Sequence, residues 1–156
     1  MQLSIDLTRG VQETNVIIKK RLPATIYHEM NHLKRWGSVG YGKTLLESII
    51  SEGIACVFEY KMWKTDQLPL FFEDEKEIYK MLEIVKKHIA KKDFAYVHSD
   101  WFFGTNPSIP KWLGYKVGYY LVMKALEKNP KKTILDITVL SCNEILTLSG
   151  ITDLEK

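Results

Sequence analysis

Two histidines stand four residues apart in a segment whose apolar residues follow the period of a helix. The segment reads His28-Glu29-Met30-Asn31-His32. Pro23 suits the first turn of a helix, and the nearby apolar residues recur at intervals of three or four: Ile26, Met30 and Leu33. These features predict a helix over residues 23–36. Because a helix turns about 100° per residue, positions 28 and 32 are only about 40° out of line. Both imidazoles therefore lie on one side of the helix.

This spacing has a chemical consequence, because two imidazoles one helical turn apart can reach the same metal ion. His28, Glu29 and His32 fit the pattern H-E-x-x-H. Glu29 lies about 100° around the helix from His28, so its carboxylate falls beside a shared ion rather than on it. A carboxylate in that place can accept a proton from a metal-bound water, which is the role of a general base.

A catalytic zinc ion takes three protein ligands and keeps a fourth position for water. The best candidate for the third ligand is Glu52, on a helix that Thr44 can cap and that we predict to run to about Lys64. The loop before this helix is long enough to let it return antiparallel to the first. Gly53 permits close helix approach. Glu47 lies on the same helix and is the nearest rival, although an exposed glutamate needs no special role.

The remaining pattern predicts a mainly α (α+β) fold with a small sheet. Alternating apolar and polar residues at 3–7 suggest a short strand, residues 11–20 are compatible with a strand or a helix, and residues 66–72 form a connector containing Pro69. Further helices are predicted over residues 74–91, 110–128, 133–136 and 141–148.

Length and composition bound the class of protein. With 156 residues and 46% hydrophobic content, the chain suits a single domain over 1–156. Lys and Arg exceed Asp and Glu by 22 − 19 = 3, and both signs are interspersed, so we expect no nucleic-acid partner. Cys56 and Cys142 lie apart in apolar segments, which favours buried, reduced thiols. No secretory leader or 18-residue apolar run is visible, so we expect a cytoplasmic protein without a membrane span. The oligomeric state is not readable from the sequence.

The residues also resemble a known family. H-E-x-x-H followed, after nineteen intervening residues, by Glu52-Gly53 resembles the gluzincin arrangement, in which two histidines and a glutamate bind zinc. The chain is more closely similar to the predicted Zn-dependent protease family of bacterial proteins, through three further segments: 22–24, Trp101 and 111–119. The resemblance covers roughly residues 20 to 125. It implies Zn²⁺ on His28, His32 and Glu52 in a compact zincin-like metallopeptidase domain, with a peptide or protein as substrate.

The resemblance gives Glu59 a candidate role. It lies seven residues after Glu52 and corresponds to the second acidic residue in the aminopeptidase pattern E-G-x5-E. Such a carboxylate would orient a ligand histidine, but an ordinary surface glutamate is about as consistent with the pattern. The sequence departs from the thermolysin-type version, which has an aspartate where this chain has Cys56. Ligand orientation therefore depends on whether Glu59 takes over that role.

Tyr115 has two competing interpretations. Tyr115-Lys116-Val117-Gly118 resembles the Tyr-x-x-Gly of zinc aminopeptidases, whose tyrosine hydroxyl stabilises the oxyanion. The alternative is an aromatic residue that packs beneath a helix start, and Tyr119 and Tyr120 are poorer candidates for the catalytic role. Of the other histidines, His88 is predicted to be a solvated surface residue. His98 is assigned a structural role, although it could face the cleft.

The expected function is that of a zinc-dependent metallohydrolase, a peptidase that cleaves amide bonds with a zinc-activated water. Two other interpretations stay open. The chain could be a non-catalytic protein that keeps the zincin fold as a binding or regulatory module. It could also be a helical interaction protein in which H-E-x-x-H is accidental, in which case it would hold no stoichiometric metal.

Overall fold

Helices make up all the regular secondary structure in the part of the chain that the computed structural model describes, residues 10–64, 74–90 and 96–154. In chain order the α-helices are α1 (Val11–Val16), α2 (Leu22–Trp36), α3 (Leu45–Trp63), α4 (Glu75–Ala90), α5 (His98–Phe102), α6 (Leu113–Lys128), α7 (Ile134–Thr138) and α8 (Cys142–Ser149). A π-helical turn, Ile17–Arg21, joins α1 to α2, and a 3-10 turn, Thr152–Leu154, follows α8.

Helix α3 is the centre of the fold. It is buried along most of its length, and it packs against α2 on one side and α6 on another, while α8 covers α6. Its start is set by a capping box, in which the Thr44 hydroxyl accepts from the Glu47 amide and the Glu47 carboxylate accepts from the Thr44 amide. The carboxylate of Glu47 thus caps the first turn of α3, and this role explains the residue without a metal.

Two glycines set the distance between α3 and α6. A Cβ on Gly53 would overlap the backbone of Gly118, and a Cβ on Gly118 would overlap the carbonyl oxygen of Ile49. The two backbones are therefore in direct contact. Gly53 was expected to permit close approach of a helix, and the helix that approaches it is α6. Since Glu52 directly precedes Gly53, this contact also fixes the position of Glu52 relative to α6.

Replacing Gly53 with alanine is expected to lower the free energy of unfolding by about 1–3 kcal/mol, the usual cost of overpacking, because the obstacle is backbone that cannot rotate away. Urea denaturation measures this. Gly37→Ala is the control: a Cβ there would lie 3.8 Å from its nearest neighbours, so a change within about 0.5 kcal/mol is expected. Equal midpoints for the two variants would contradict the close crossing.

The predicted small sheet is wrong. The described residues contain no strand, and residues 11–20, which were compatible with either structure, are helical. An isolated strand leaves its backbone groups without partners, whereas a helix pairs them within itself. With no second strand in the described ranges, the β-branched Val16-Ile17-Ile18 continues the helical path into α2. The candidate strand at 3–7 and the connector at 66–72 lie outside the described residues.

The mainly helical part of the prediction is confirmed. Helices α2 and α3 begin and end within one residue of the expected positions, and α4, α6, α7 and α8 occupy the expected segments. Both cysteines are buried, and neither forms a disulfide within the described residues. Within the described ranges, no helix is both long enough and apolar enough to cross a bilayer.

Candidate metal centre

Two imidazoles and a carboxylate converge where α2 crosses α3. Nε2 of His28 lies 3.1 Å from one oxygen of Glu52, and Nε2 of His32 lies 3.5 Å from the other. The three residues each offer a ligand atom within 4.8 Å of the others. The structure brings together the three side chains proposed from the sequence, with Glu52 rather than Glu47 on the α3 side.

This donor set fits a zinc ion. Zinc bonds of about 2.0–2.1 Å in a tetrahedral site place neighbouring ligand atoms about 3.3 Å apart. Oε2 of Glu52 lies 3.1 Å from Nε2 of His28 and Oε1 lies 3.5 Å from Nε2 of His32, and both distances are close to that value. Imidazole nitrogen and carboxylate oxygen are also ligands that zinc accepts in catalytic sites. Three protein ligands leave the fourth tetrahedral position for water.

The electrostatics of His28 favour a positive charge at this point. Burial on its own lowers the pKa of His28, but hydrogen bonds to Cys56 and to the carboxylates of Glu52 and Glu59 outweigh burial and raise the pKa to about 12. Burial would raise the pKa of Glu52, yet hydrogen bonds from His28 and His32 hold it well below its usual range. A histidine that ligates a cation must be neutral, so a metal here would take the place of a proton.

Glu59 lies on the far side of His28 from Glu52. Its carboxylate is buried and stands 3.3 Å from Nδ1 of His28. Cys56, at the position where the thermolysin-type pattern has an aspartate, is buried beside the same histidine. The imidazole of His28 is therefore held from both edges, and Glu59 is not the exposed surface residue of the alternative interpretation.

Tyr41, in the loop between α2 and α3, contacts the cluster and was missed by the sequence reasoning. Its hydroxyl donates to Oε1 of Glu52 at 2.5 Å, and its ring is tilted against His32 with centroids 5.4 Å apart. Burial, followed by the negative charge of Glu52, raises the pKa of Tyr41, which keeps the hydroxyl protonated. The signal in the sequence was the position of Tyr41, which is the only tyrosine between α2 and α3.

Two further residues of α2 without a predicted role, Asn31 and Arg35, attach the helix to the rest of the fold through hydrogen bonds. Nε of the buried Arg35 donates to the hydroxyl of Ser51 at 2.9 Å, and its Nη1 donates to the carbonyls of Thr138 and Leu140. Asn31 donates to the hydroxyl of Thr138 at 2.8 Å. Two of the three buried residues of α2 are thus polar, and these bonds fix the rotation of the helix about its own axis.

The cluster opens into a cleft of about 510 Å³. Besides the three convergent residues, its lining contains Glu29, Leu33, Trp36, Tyr41, His98, Phe103 and Tyr115. Burial and the nearby carboxylate of Glu52 raise the pKa of Tyr115, so its phenol is protonated and able to donate. Glu29 and Tyr115 therefore face the same space as the cluster.

The two remaining histidines differ from each other. His98 stacks on Phe102 with centroids 4.2 Å apart and also lines the cleft, which combines the structural role with the position by the cleft. His88 is not the solvated surface residue that was predicted. It is half-buried and packs edge-on against Trp101, because α4 turns it towards α5 instead of solvent.

One of the comparisons with known proteins found a match. The model of one family, described as predicted Zn-dependent protease (DUF2268), matches residues 10–147. Searches of curated proteins and of solved structures found no match. The matched region contains the convergent cluster and every residue of the cleft. The resemblance drawn from the sequence is confirmed, and the chain belongs to the family described as predicted Zn-dependent protease.

Proposed function

We propose that this protein is a zinc-dependent metallohydrolase that cleaves amide bonds in peptides, with zinc held by His28, His32 and Glu52. The observation that carries the proposal is the convergence of these three donors within 4.8 Å at the base of a cleft that Glu29 also lines. A buried carboxylate between two imidazoles is costly unless a proton or a cation sits among them. The cluster also opens into a cleft, as catalytic zinc sites do, whereas structural zinc sites are closed by protein ligands.

The chemistry follows from the positions of the chain's own groups. A zinc ion in this place supplies a Lewis acid that lowers the pKa of a water and polarises a substrate carbonyl. Glu29 accepts the proton of the attacking water on its carboxylate and later delivers it to the leaving amine. No covalent bond between enzyme and substrate is needed, because the nucleophile is water.

Two further residues have supporting roles in the proposal. The protonated phenol of Tyr115 faces the cleft and donates to the oxyanion that develops when water attacks the carbonyl. The carboxylate of Glu59 accepts from Nδ1 of His28, at 3.3 Å, which fixes the tautomer that presents Nε2 to the metal. Tyr119 and Tyr120 do not belong to the cleft lining.

The test combines metal content with an unbiased search for substrates. The purified protein is analysed for zinc and incubated with a library of peptides, before and after chelation and again after zinc is returned. About one zinc per chain and cleavage that is lost and restored with zinc would support the proposal. Zinc without cleavage would favour the non-catalytic zincin-fold module, and absence of zinc would favour the accidental motif.

The cleft walls predict a preference for bulky apolar side chains near the scissile bond. Leu33 and Trp36 are 69% and 72% exposed on α2, and Phe103 is 54% exposed across the cleft. A substrate side chain seated among them would remove this apolar surface from water. The described part of the lining contains no lysine or arginine, so nothing there attracts acidic side chains.

Trp36→Ala is expected to lower kcat/KM about tenfold for peptides with a large apolar residue at that subsite, with much less effect on peptides bearing alanine there. Steady-state kinetics on matched peptide pairs measure the difference. Met30→Ala is the control, since Met30 is 52% exposed on the same helix but does not line the cleft. An equal loss for both peptides would contradict the subsite.

A further inference from the structure

The carboxylate of Glu52 makes contacts beyond those to the two histidines. Its Oε2 faces Nε2 of His28 at 3.1 Å, while its Oε1 accepts from the hydroxyl of Tyr41 at 2.5 Å and lies 3.5 Å from Nε2 of His32. A carboxylate that binds a metal through one oxygen needs a donor for the other, because a second uncompensated oxygen in a buried site is costly. Tyr41 provides that donor from outside the two ligand helices.

Tyr41 is itself fixed in place, although it lies in a loop. The hydroxyl of Ser51 donates to the backbone carbonyl of Tyr41. Ser51 is fully buried, and its hydroxyl accepts from Nε of Arg35 at 2.9 Å. Arg35 donates in turn to the carbonyl of Thr138, the last residue of α7, and to that of Leu140, two residues later. A continuous chain of hydrogen bonds thus runs from the C-terminal part of the fold to the loop.

These hydrogen bonds also connect α2 to α3. Arg35 comes from α2, one turn after His32, and Ser51 comes from α3, immediately before Glu52. The bond between them ties together the two helices that carry the convergent residues. The same bonds fix the position of the Tyr41 backbone relative to α3. They therefore determine the point from which the Tyr41 hydroxyl reaches Oε1 of Glu52.

We propose that Tyr41 is a positioning residue, held by Ser51 and Arg35, which fixes Glu52 so that one carboxylate oxygen is directed at the metal. The inference rests on the proposed function, because it assumes zinc on His28, His32 and Glu52. In this proposal Tyr41 orients a metal ligand, whereas Tyr115 donates to the oxyanion of the substrate. Ring contact between Tyr41 and His32, at 5.4 Å, helps to hold that imidazole as well.

The experiment measures metal affinity rather than activity alone. Wild type, Tyr41→Phe and Ser51→Ala are titrated with zinc against a competing chelator, and their cobalt forms are compared by visible absorption, which reports ligand geometry. Tyr41→Phe is expected to weaken zinc binding by about 10–100-fold, the usual effect of losing an outer-sphere partner. Ser51→Ala is expected to weaken it in the same direction by a smaller factor, and the cobalt spectrum should change in both.

Tyr96→Phe is the matched control. Its hydroxyl also makes a 2.5 Å hydrogen bond to α3, at Ser48, but Tyr96 is not part of the cleft lining. It is expected to keep the wild-type zinc affinity. Thermal unfolding of each variant identifies any that has lost its fold, and Ser51→Ala then serves as the second test of the same chain of bonds.

The outcomes distinguish a failure of the positioning role from a failure of the proposed function. Wild-type zinc affinity in Tyr41→Phe, with or without a fall in kcat, would overturn the positioning role; a fall in kcat alone would make Tyr41 a donor to the substrate. An equal loss of affinity in Tyr96→Phe would overturn it too. If the wild-type protein binds no zinc, the proposed function fails, and the inference fails with it.

Discussion

Replacing Glu29 with glutamine is expected to lower kcat for peptide cleavage by about 10²–10⁴-fold, the range for a lost general base, while the protein keeps its zinc. Glutamine has nearly the same shape as glutamate but cannot accept the proton of the attacking water. Glu29 lines the cleft and lies outside the group of three convergent residues, so its loss should not empty the site. Steady-state kinetics and zinc analysis of the same preparation measure both quantities.

Glu13→Gln is a suitable control for this change, because Glu13 is a glutamate of α1 outside the cleft lining. It is expected to leave both kcat and zinc content as in wild type. Cleavage at the wild-type rate by Glu29→Gln would remove Glu29 from the mechanism. Loss of zinc in the same variant would instead assign it to the metal site.

Replacing Glu52 with glutamine is expected to weaken zinc binding by more than about 100-fold, beyond the effect of losing an outer-sphere partner. The neutral amide keeps the size of the side chain but removes the negative charge that lies beside both imidazoles. Competition with a chelator measures the affinity. Peptide cleavage should be lost at zinc concentrations that saturate the wild type.

Glu47→Gln is the matched control for Glu52→Gln, since both glutamates lie on α3. It weakens the capping box with Thr44 and is expected to cost about 1 kcal/mol of stability or less. Zinc affinity should not change. If the two variants bound zinc equally well, the third ligand would have to be another residue.

The local pattern around H-E-x-x-H predicts that the two histidines lie on one side of a helix. Four-residue spacing on a helix brings His28 and His32 together whatever the rest of the chain does. The Thr44 cap set the start of α3, and with it the position of Glu52. The apolar residues that indicated α2 are not core residues, however: Ile26, Met30 and Leu33 are all exposed. Helical spacing identified the helix correctly but did not distinguish its inner face.

Contacts made between distant segments were not predictable in the same way. The inner face of α2 is held by Asn31 and Arg35, whose partners on and after α7 lie more than one hundred residues away in the chain. Nothing in the local sequence announces such a pairing. Tyr41 was missed for a similar reason, because its role depends on how a glycine-containing loop closes over Glu52.

The expected sheet failed for a different reason. It was inferred from a zincin-like fold and from alternation at residues 3–7, not from a set of strands that could pair. The tendency of Val and Ile to form strands mostly reflects packing on a pleated surface. Since the described residues offer no such surface, the segment with Val16-Ile17-Ile18 is helical. They also offer no sheet edge to which a substrate could add a strand.

The central claim is that His28, His32 and Glu52 bind one zinc ion, and anomalous diffraction at the zinc absorption edge tests it most directly. Crystals of the zinc-loaded protein are expected to give one strong anomalous peak, about 2.0–2.2 Å from a nitrogen of each histidine and an oxygen of Glu52. A peak at any other set of residues, or no peak between α2 and α3 in zinc-saturated crystals, would contradict the claim.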